Sequence, residues 1–260
     1  MGFELEARGL CVRLGGKEIL RPFSARFRGG KLYGILGQNG AAKTTLLRAL
    51  AGLLPPSGGE VLLDGRRFEE YGGRERAKRL SYLPQDAPRP EGFSLWEMVA
   101  MGRTPYRRFW QREAPGERPA VEEALRRAGL EELAQREVRS LSGGEWQRAL
   151  IARALCQGAE GLLLDEPASA LDIAHAGRAL SLLRGLCAEG HCAVLVLHDI
   201  NLAAMLCDEI VLMKGGEMLD FGPPEGVLTK KSLETAYECA LRAVRDEKTG
   251  RSLFFAEAIR

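Results

Sequence analysis

Residues Gly37–Thr45 read GQNGAAKTT. They follow a short apolar stretch, KLYGILG, and lead into TLLRALAGL, a helical segment that Pro55-Pro56 stop. Strand, glycine-bearing loop and helix in that order predict a phosphate cradle. Successive backbone N–H groups of Gly37, Gln38, Asn39, Gly40, Ala41 and Ala42 would face an anion, and the helix N-terminus adds partial positive charge. Lys43 would neutralise phosphate oxygens, the Thr44 hydroxyl would take Mg²⁺, and Thr45 closes the run. The pattern G-x-x-x-x-G-K-[ST] fits everywhere except position 42, where alanine replaces glycine. If the loop needs positive φ there, alanine costs about 1–2 kcal/mol over glycine, roughly a five- to thirtyfold effect.

A second run, LLLDEP, ends an apolar strand in two adjacent carboxylates, Asp165 and Glu166. Buried strands do not end in acids without a reason, because unpaired charge is costly there. Asp165 would hold Mg²⁺ through water, and Glu166 would act as general base on an attacking water. A third run, LSGGEWQR from Leu141 to Arg148, places the capping residue Ser142 and two glycines before an amphipathic helix. Such a start leaves N–H donors free and gives an anion room to approach the backbone.

With these three runs in order, the chain resembles the nucleotide-binding subunits of ABC transporters over nearly its whole length. The resemblance implies an α/β P-loop NTPase: a RecA-like mixed sheet core with an antiparallel β subdomain, plus an inserted helical subdomain. Residues 1–260 would form one ATPase domain. Its core would take residues 1–85 and 157–230, the helical subdomain 86–156, and a C-terminal helix and short strand 231–260. Gly37–Thr45 matches the Walker A loop, and LLLDEP matches Walker B with Glu166 catalytic. Gln85 resembles the glutamine that senses Mg²⁺ and the attacking water. His198 sits at the family's γ-phosphate-contacting histidine, and SALD, ending at Asp172, resembles the loop that crosses the dimer interface. Ser142, Gly143, Gly144 and Glu145 would cap the ATP held by a second copy, which implies a homodimer. ATP closing that dimer and hydrolysis opening it would drive a membrane partner. The family's adenine-stacking aromatic is replaced by Leu14, which leaves apolar contact alone.

The 260 residues are 45% hydrophobic and 28% charged, with a net charge of +2. That balance gives no case for a nucleic-acid partner. The six cysteines form no C-x-x-C pair, and several lie in apolar patterns, as expected of reduced core thiols. No apolar run approaches the ~20 residues of a membrane span, and the start MGFELEARGL has no signal-peptide core. The expectation is a chain on the cytoplasmic face of the membrane, held there by its partner.

The stretch FSLWEMVAMGRTPYRRFW resembles the corresponding part of importers for iron–siderophores, haem and cobalamin, and GPPEGVLTKKSLETAY points the same way. This implies permease contact through Asp86–Trp110 and, indirectly, a periplasmic or lipoprotein binder. Importers of molybdate, zinc or manganese are near relatives. A chromosome-maintenance ATPase would need a long coiled-coil insertion, which the sequence lacks, and a translation-factor ATPase usually carries two cassettes.

Overall fold

The computed structural model describes residues 2–108, 113–114, 116–167, 173–247 and 250–257. In chain order the elements are β1 Glu4–Leu14, β2 Lys17–Arg28, β3 Leu32–Leu36, α1 Lys43–Leu50, β4 Gly58–Leu63, β5 Arg66–Arg67, α2 Gly73–Arg79 and β6 Leu80–Leu83. Then come α3 Leu95–Ala100, α4 Glu117–Ala128, α5 Gly143–Cys156, β7 Gly161–Asp165, α6 Ile173–Ala188 and β8 Cys192–Val196. The last are α7 Ile200–Leu206, β9 Glu209–Lys214, β10 Glu217–Gly222, α8 Pro224–Val227, α9 Lys230–Tyr237, β11 Leu241–Arg245 and β12 Ser252–Ala256.

Two sheets carry the molecule. A four-stranded antiparallel sheet runs β2-β1-β4-β5, and a six-stranded sheet runs β10-β9-β3-β8-β7-β6. In the larger sheet β9, β3, β8, β7 and β6 are parallel, and β10 adds an antiparallel edge. Its central strands are buried at every position, as strands covered on both faces must be.

Side-chain alternation divides the core by face. Leu162, Leu164, Ala193 and Leu195 pack with α3, α4, α5 and α6, whereas Leu163, Val194 and Val196 pack with α1 and the antiparallel sheet. The helices between β6 and β7 thus share one apolar core with the sheet. Four cysteines, Cys156, Cys187, Cys192 and Cys207, are buried in these layers. At the C-terminal end the sequence predicts a helix through ECALRAV, but α9 stops at Tyr237, where Glu238 turns left-handed at φ 54°. Leu241–Arg245 instead pairs with Ser252–Ala256 in a hairpin. Among the described residues no helix is long and apolar enough to cross a membrane.

Candidate active site

Four parallel neighbours, β3, β8, β7 and β6, end on the same edge of the sheet. Gly37 follows β3 directly, His198 follows β8 by two residues, Asp165 ends β7 before Glu166, and Gln85 follows β6 by two. Loops at the carboxyl ends of adjacent parallel strands form a common crevice. Topology therefore gathers residues 161 positions apart in the chain, from Gly37 to His198.

The loop after β3 wraps on itself. Gly37 has φ 151°, and a Cβ there would lie 2.3 Å from the Met213 carbonyl oxygen, so only glycine fits. Lys43 is 6% exposed and donates to the Gly37 carbonyl at 2.8 Å and the Gln38 carbonyl at 2.9 Å. Burial holds its ammonium below the ordinary lysine range. Ala42 begins α1 at φ 69°, ψ 22°, in left-handed backbone. The condition for the alanine penalty is met.

The acids stand opposite. Asp165 is 1% exposed and accepts the Thr44 hydroxyl at 3.1 Å. Burial raises its pKa, and the neighbouring Glu166 adds to the effect. Glu166 is itself left-handed at φ 53°, which turns its carboxylate off the strand line. Gln85 donates to Glu166 Oε2 at 2.8 Å, and His198 Nε2 lies 2.5 Å from Oε1. One carboxylate is thus held from both sides by side chains of different strands.

These groups face a cleft of about 700 Å³, lined by Asn39, Gly40, Ala42, Lys43, Thr44, Thr45, Gln85, Glu166 and His198. Ile19 of β2 completes the lining. No sequence pattern marks Ile19, since only the packing of the two sheets brings it there. Leu14 ends β1 at 47% exposure and is not among the lining residues. Ala41 is buried beneath the loop. The Gln38 amide points elsewhere and donates to the Tyr237 carbonyl at the end of α9.

The donor set suits a hard cation: a hydroxyl, a buried carboxylate short of partners and an amide offer oxygen ligands of the kind Mg²⁺ takes. Among the described residues no three His, Cys, Asp or Glu side chains cluster as a thiolate or imidazole site would require.

A family model for ABC transporters matches residues 20–169. The chain belongs to the ABC transporter family. It is 42% identical over 238 residues to the hemin import ATP-binding protein HmuV of Pseudomonas entomophila, covering 90% of this chain and 92% of that protein. It is 40% identical over 247 residues to the cobalamin import ATP-binding protein BtuD of Halobacterium salinarum, covering 95% of this chain. The chain spans 62% of that relative's length. Among solved structures, an inward-facing metal-chelate type ABC transporter superposes with TM-score 0.86 at 26% identity, covering 99% of this chain and 98% of that one. A dimeric bacterial ABC transporter cassette gives TM-score 0.74 at 27% identity, covering 85% and 98%.

The LSGGEWQR run, which resembles the signature of ABC nucleotide-binding subunits, stands apart from the cleft. Ser142 caps α5: its Oγ accepts the Glu145 N–H at 3.2 Å, and Glu145 Oε2 accepts the Ser142 N–H at 2.7 Å. Glu145 is therefore half of a capping box, a role the S-x-x-E spacing itself encodes. Bonding to the Ser142 N–H holds its carboxyl below the ordinary range. Ser142 and Gly143 are exposed, Gly144 is half-buried, and none of them lines the cleft. Asp172 and the rest of SALD lie outside the described residues, as does Trp110.

Proposed function

We propose that the chain is the ATP-binding and hydrolysing subunit of an importer that takes up a metal chelate of the iron–siderophore, haem or cobalamin class. The observation that carries this reading is the Glu166 carboxylate, held between Gln85 and His198 beside the Thr44–Asp165 pair. Such a carboxylate is an oriented general base for a water attacking the γ-phosphate. Lys43 leaves the Gly37 and Gln38 carbonyls to neutralise phosphate oxygens. Loop amides from Gly37 to Thr45 bind the remaining phosphate charge. Thr44, Asp165 and Gln85 would hold Mg²⁺, which would supply positive charge to offset the phosphate oxygens. Ile19 in the cleft lining offers apolar contact to the base, and Leu14, exposed at the end of β1 outside that lining, would add to it only where the base extends past the cleft.

Ser142, Gly143, Gly144 and Glu145 serve the nucleotide of a second copy, so the working unit is a homodimer in which Asp172 crosses the interface. The exposed signature start and the dimeric cassette relative support this arrangement. Permease subunits engage the region from Asp86 to Trp110, which keeps the chain at the membrane's cytoplasmic face, and a periplasmic or lipoprotein binder delivers cargo. The import functions named for the HmuV and BtuD relatives support the cargo class.

Phosphate release by the purified chain, alone and with permease subunits, tests the proposal. Stimulated hydrolysis together with chelate uptake into proteoliposomes is expected. Hydrolysis without any permease dependence would contradict it.

A further inference from the structure

Gln85 is followed by Asp86-Ala87-Pro88-Arg89-Pro90. Each proline fixes its own φ and holds the preceding residue in extended backbone, so Ala87 and Arg89 are both preset. Arg89 is thus carried on a stiff segment whose first residue donates to Glu166. Its guanidinium reaches the residues that open α5. Nη1 donates to the Leu141 carbonyl at 2.6 Å, and Nη2 lies 3.5 Å from the Ser142 carbonyl. Cζ stands 5.6 Å from the centre of the Trp146 ring, which is 7% exposed. A planar group that bonds and stacks together is not replaced by an ammonium.

The segments around Arg89 are joined by further bonds. Val138 N–H donates to the Phe93 carbonyl at 3.0 Å, Leu95 N–H to Arg136 at 2.8 Å, and Trp96 N–H to Ala134 at 2.8 Å. The stretch after Gln85 is therefore tied to the stretch before Ser142, and Arg89 extends that lacing to the start of α5.

We propose that Arg89 is a positioning residue for the ABC signature. It locks the start of α5 to the Gln85 segment, so that Ser142 and the Gln85–Glu166 contact shift as one unit. The catalytic consequence rests on the proposed ATPase reading; the lock itself does not. Because Ser142 serves the second copy's nucleotide, Arg89 governs turnover and leaves ATP capture by its own loop unaffected.

The test uses the full chain with Arg89→Ala and Arg89→Lys. Amide hydrogen exchange at Gly143–Glu145, without nucleotide, is expected to quicken about fivefold in Arg89→Ala and less in Arg89→Lys. With Trp96→Phe and Trp110→Phe added, Trp146 emission is expected to change as the cation leaves its ring. With Mg-ATP, kcat is expected to fall about fivefold in Arg89→Ala, with partial rescue by Arg89→Lys. Mg-ATP affinity of the isolated chain should stay within twofold. Unchanged exchange at Gly143–Glu145 overturns the proposal. So does a kcat within twofold of the parent's, or an affinity loss that matches the kcat loss. If the unsubstituted chain releases no phosphate even with its permease subunits, the ATPase reading has failed, and the exchange comparison still decides the lock.

Discussion

Two buried carboxylates, one in the helical part and one at the end of β7, are treated oppositely by the fold. Glu117 opens α4 at 2% exposure and accepts Arg107 twice, at 2.9 and 2.6 Å, and the Ala114 N–H at 2.7 Å. Burial pushes its pKa up, but these bonds more than offset that and leave it below the ordinary value. Asp165 is as deeply buried, yet among the described residues it has neutral hydroxyls beside it, Thr44's at 3.1 Å and Tyr82's, and no bidentate guanidinium. There burial prevails and the pKa rises. A carboxylate that serves the architecture has its partners nearby, whereas one that serves chemistry is left short of them.

The largest effect expected from this contrast is on turnover. Asp165→Asn removes a charge the fold does not need. Phosphate release should fall at least a hundredfold, while the melting temperature rises rather than falls. A melting temperature well below the parent's would break the comparison.

Glu117→Gln should do the reverse, lowering stability by about 2 kcal/mol because Arg107 loses its bidentate acceptor. Phosphate release per folded chain should stay within twofold. Denaturant titration and a turnover assay on the same sample check both. Acid sharpens the contrast. The folded pKa of Glu117 lies below 4.5, so its stabilisation is complete above pH 4.5 and lost as pH falls through the lowered value. Unfolding free energies of parent and Glu117→Gln should therefore converge in that acid window.

The smallest effect concerns Ala42, whose left-handed backbone costs about 1 kcal/mol more than glycine's. Since that backbone is already left-handed in the folded chain itself, Ala42→Gly should raise the unfolding free energy by about 1 kcal/mol in a denaturant titration and shift Mg-ATP affinity less than about fivefold. Equal stabilities would make the alanine harmless.

Much of this was legible in the sequence because the decisive signals are local. KLYGILG, LLLDEP and AVLVL are apolar runs that end in polar residues, and such strands declare both burial and the edge where function collects. The αL state of Ala42 was foreseeable only as a condition, since φ is set by how the loop closes over Lys43. Ile19 and Arg89 were illegible for a different reason: their roles arise from contacts across sheets or across some fifty residues, and neither belongs to a periodic pattern. The end of α9 is not legible locally, because ALRAV has helical apolar spacing, whereas pairing with Ser252–Ala256 decides its state. Glu145 lay in plain view as a capping box.

In the proposed homodimer one chain holds the phosphate loop and the acids, but borrows its serine-glycine cap from another copy. Light scattering on Glu166→Gln, with and without Mg-ATP, measures this directly. The expected result is a shift from the 28.5 kDa chain to twice that mass on adding Mg-ATP, abolished by Ser142→Arg. A mass that stays at one chain at saturating Mg-ATP would contradict it.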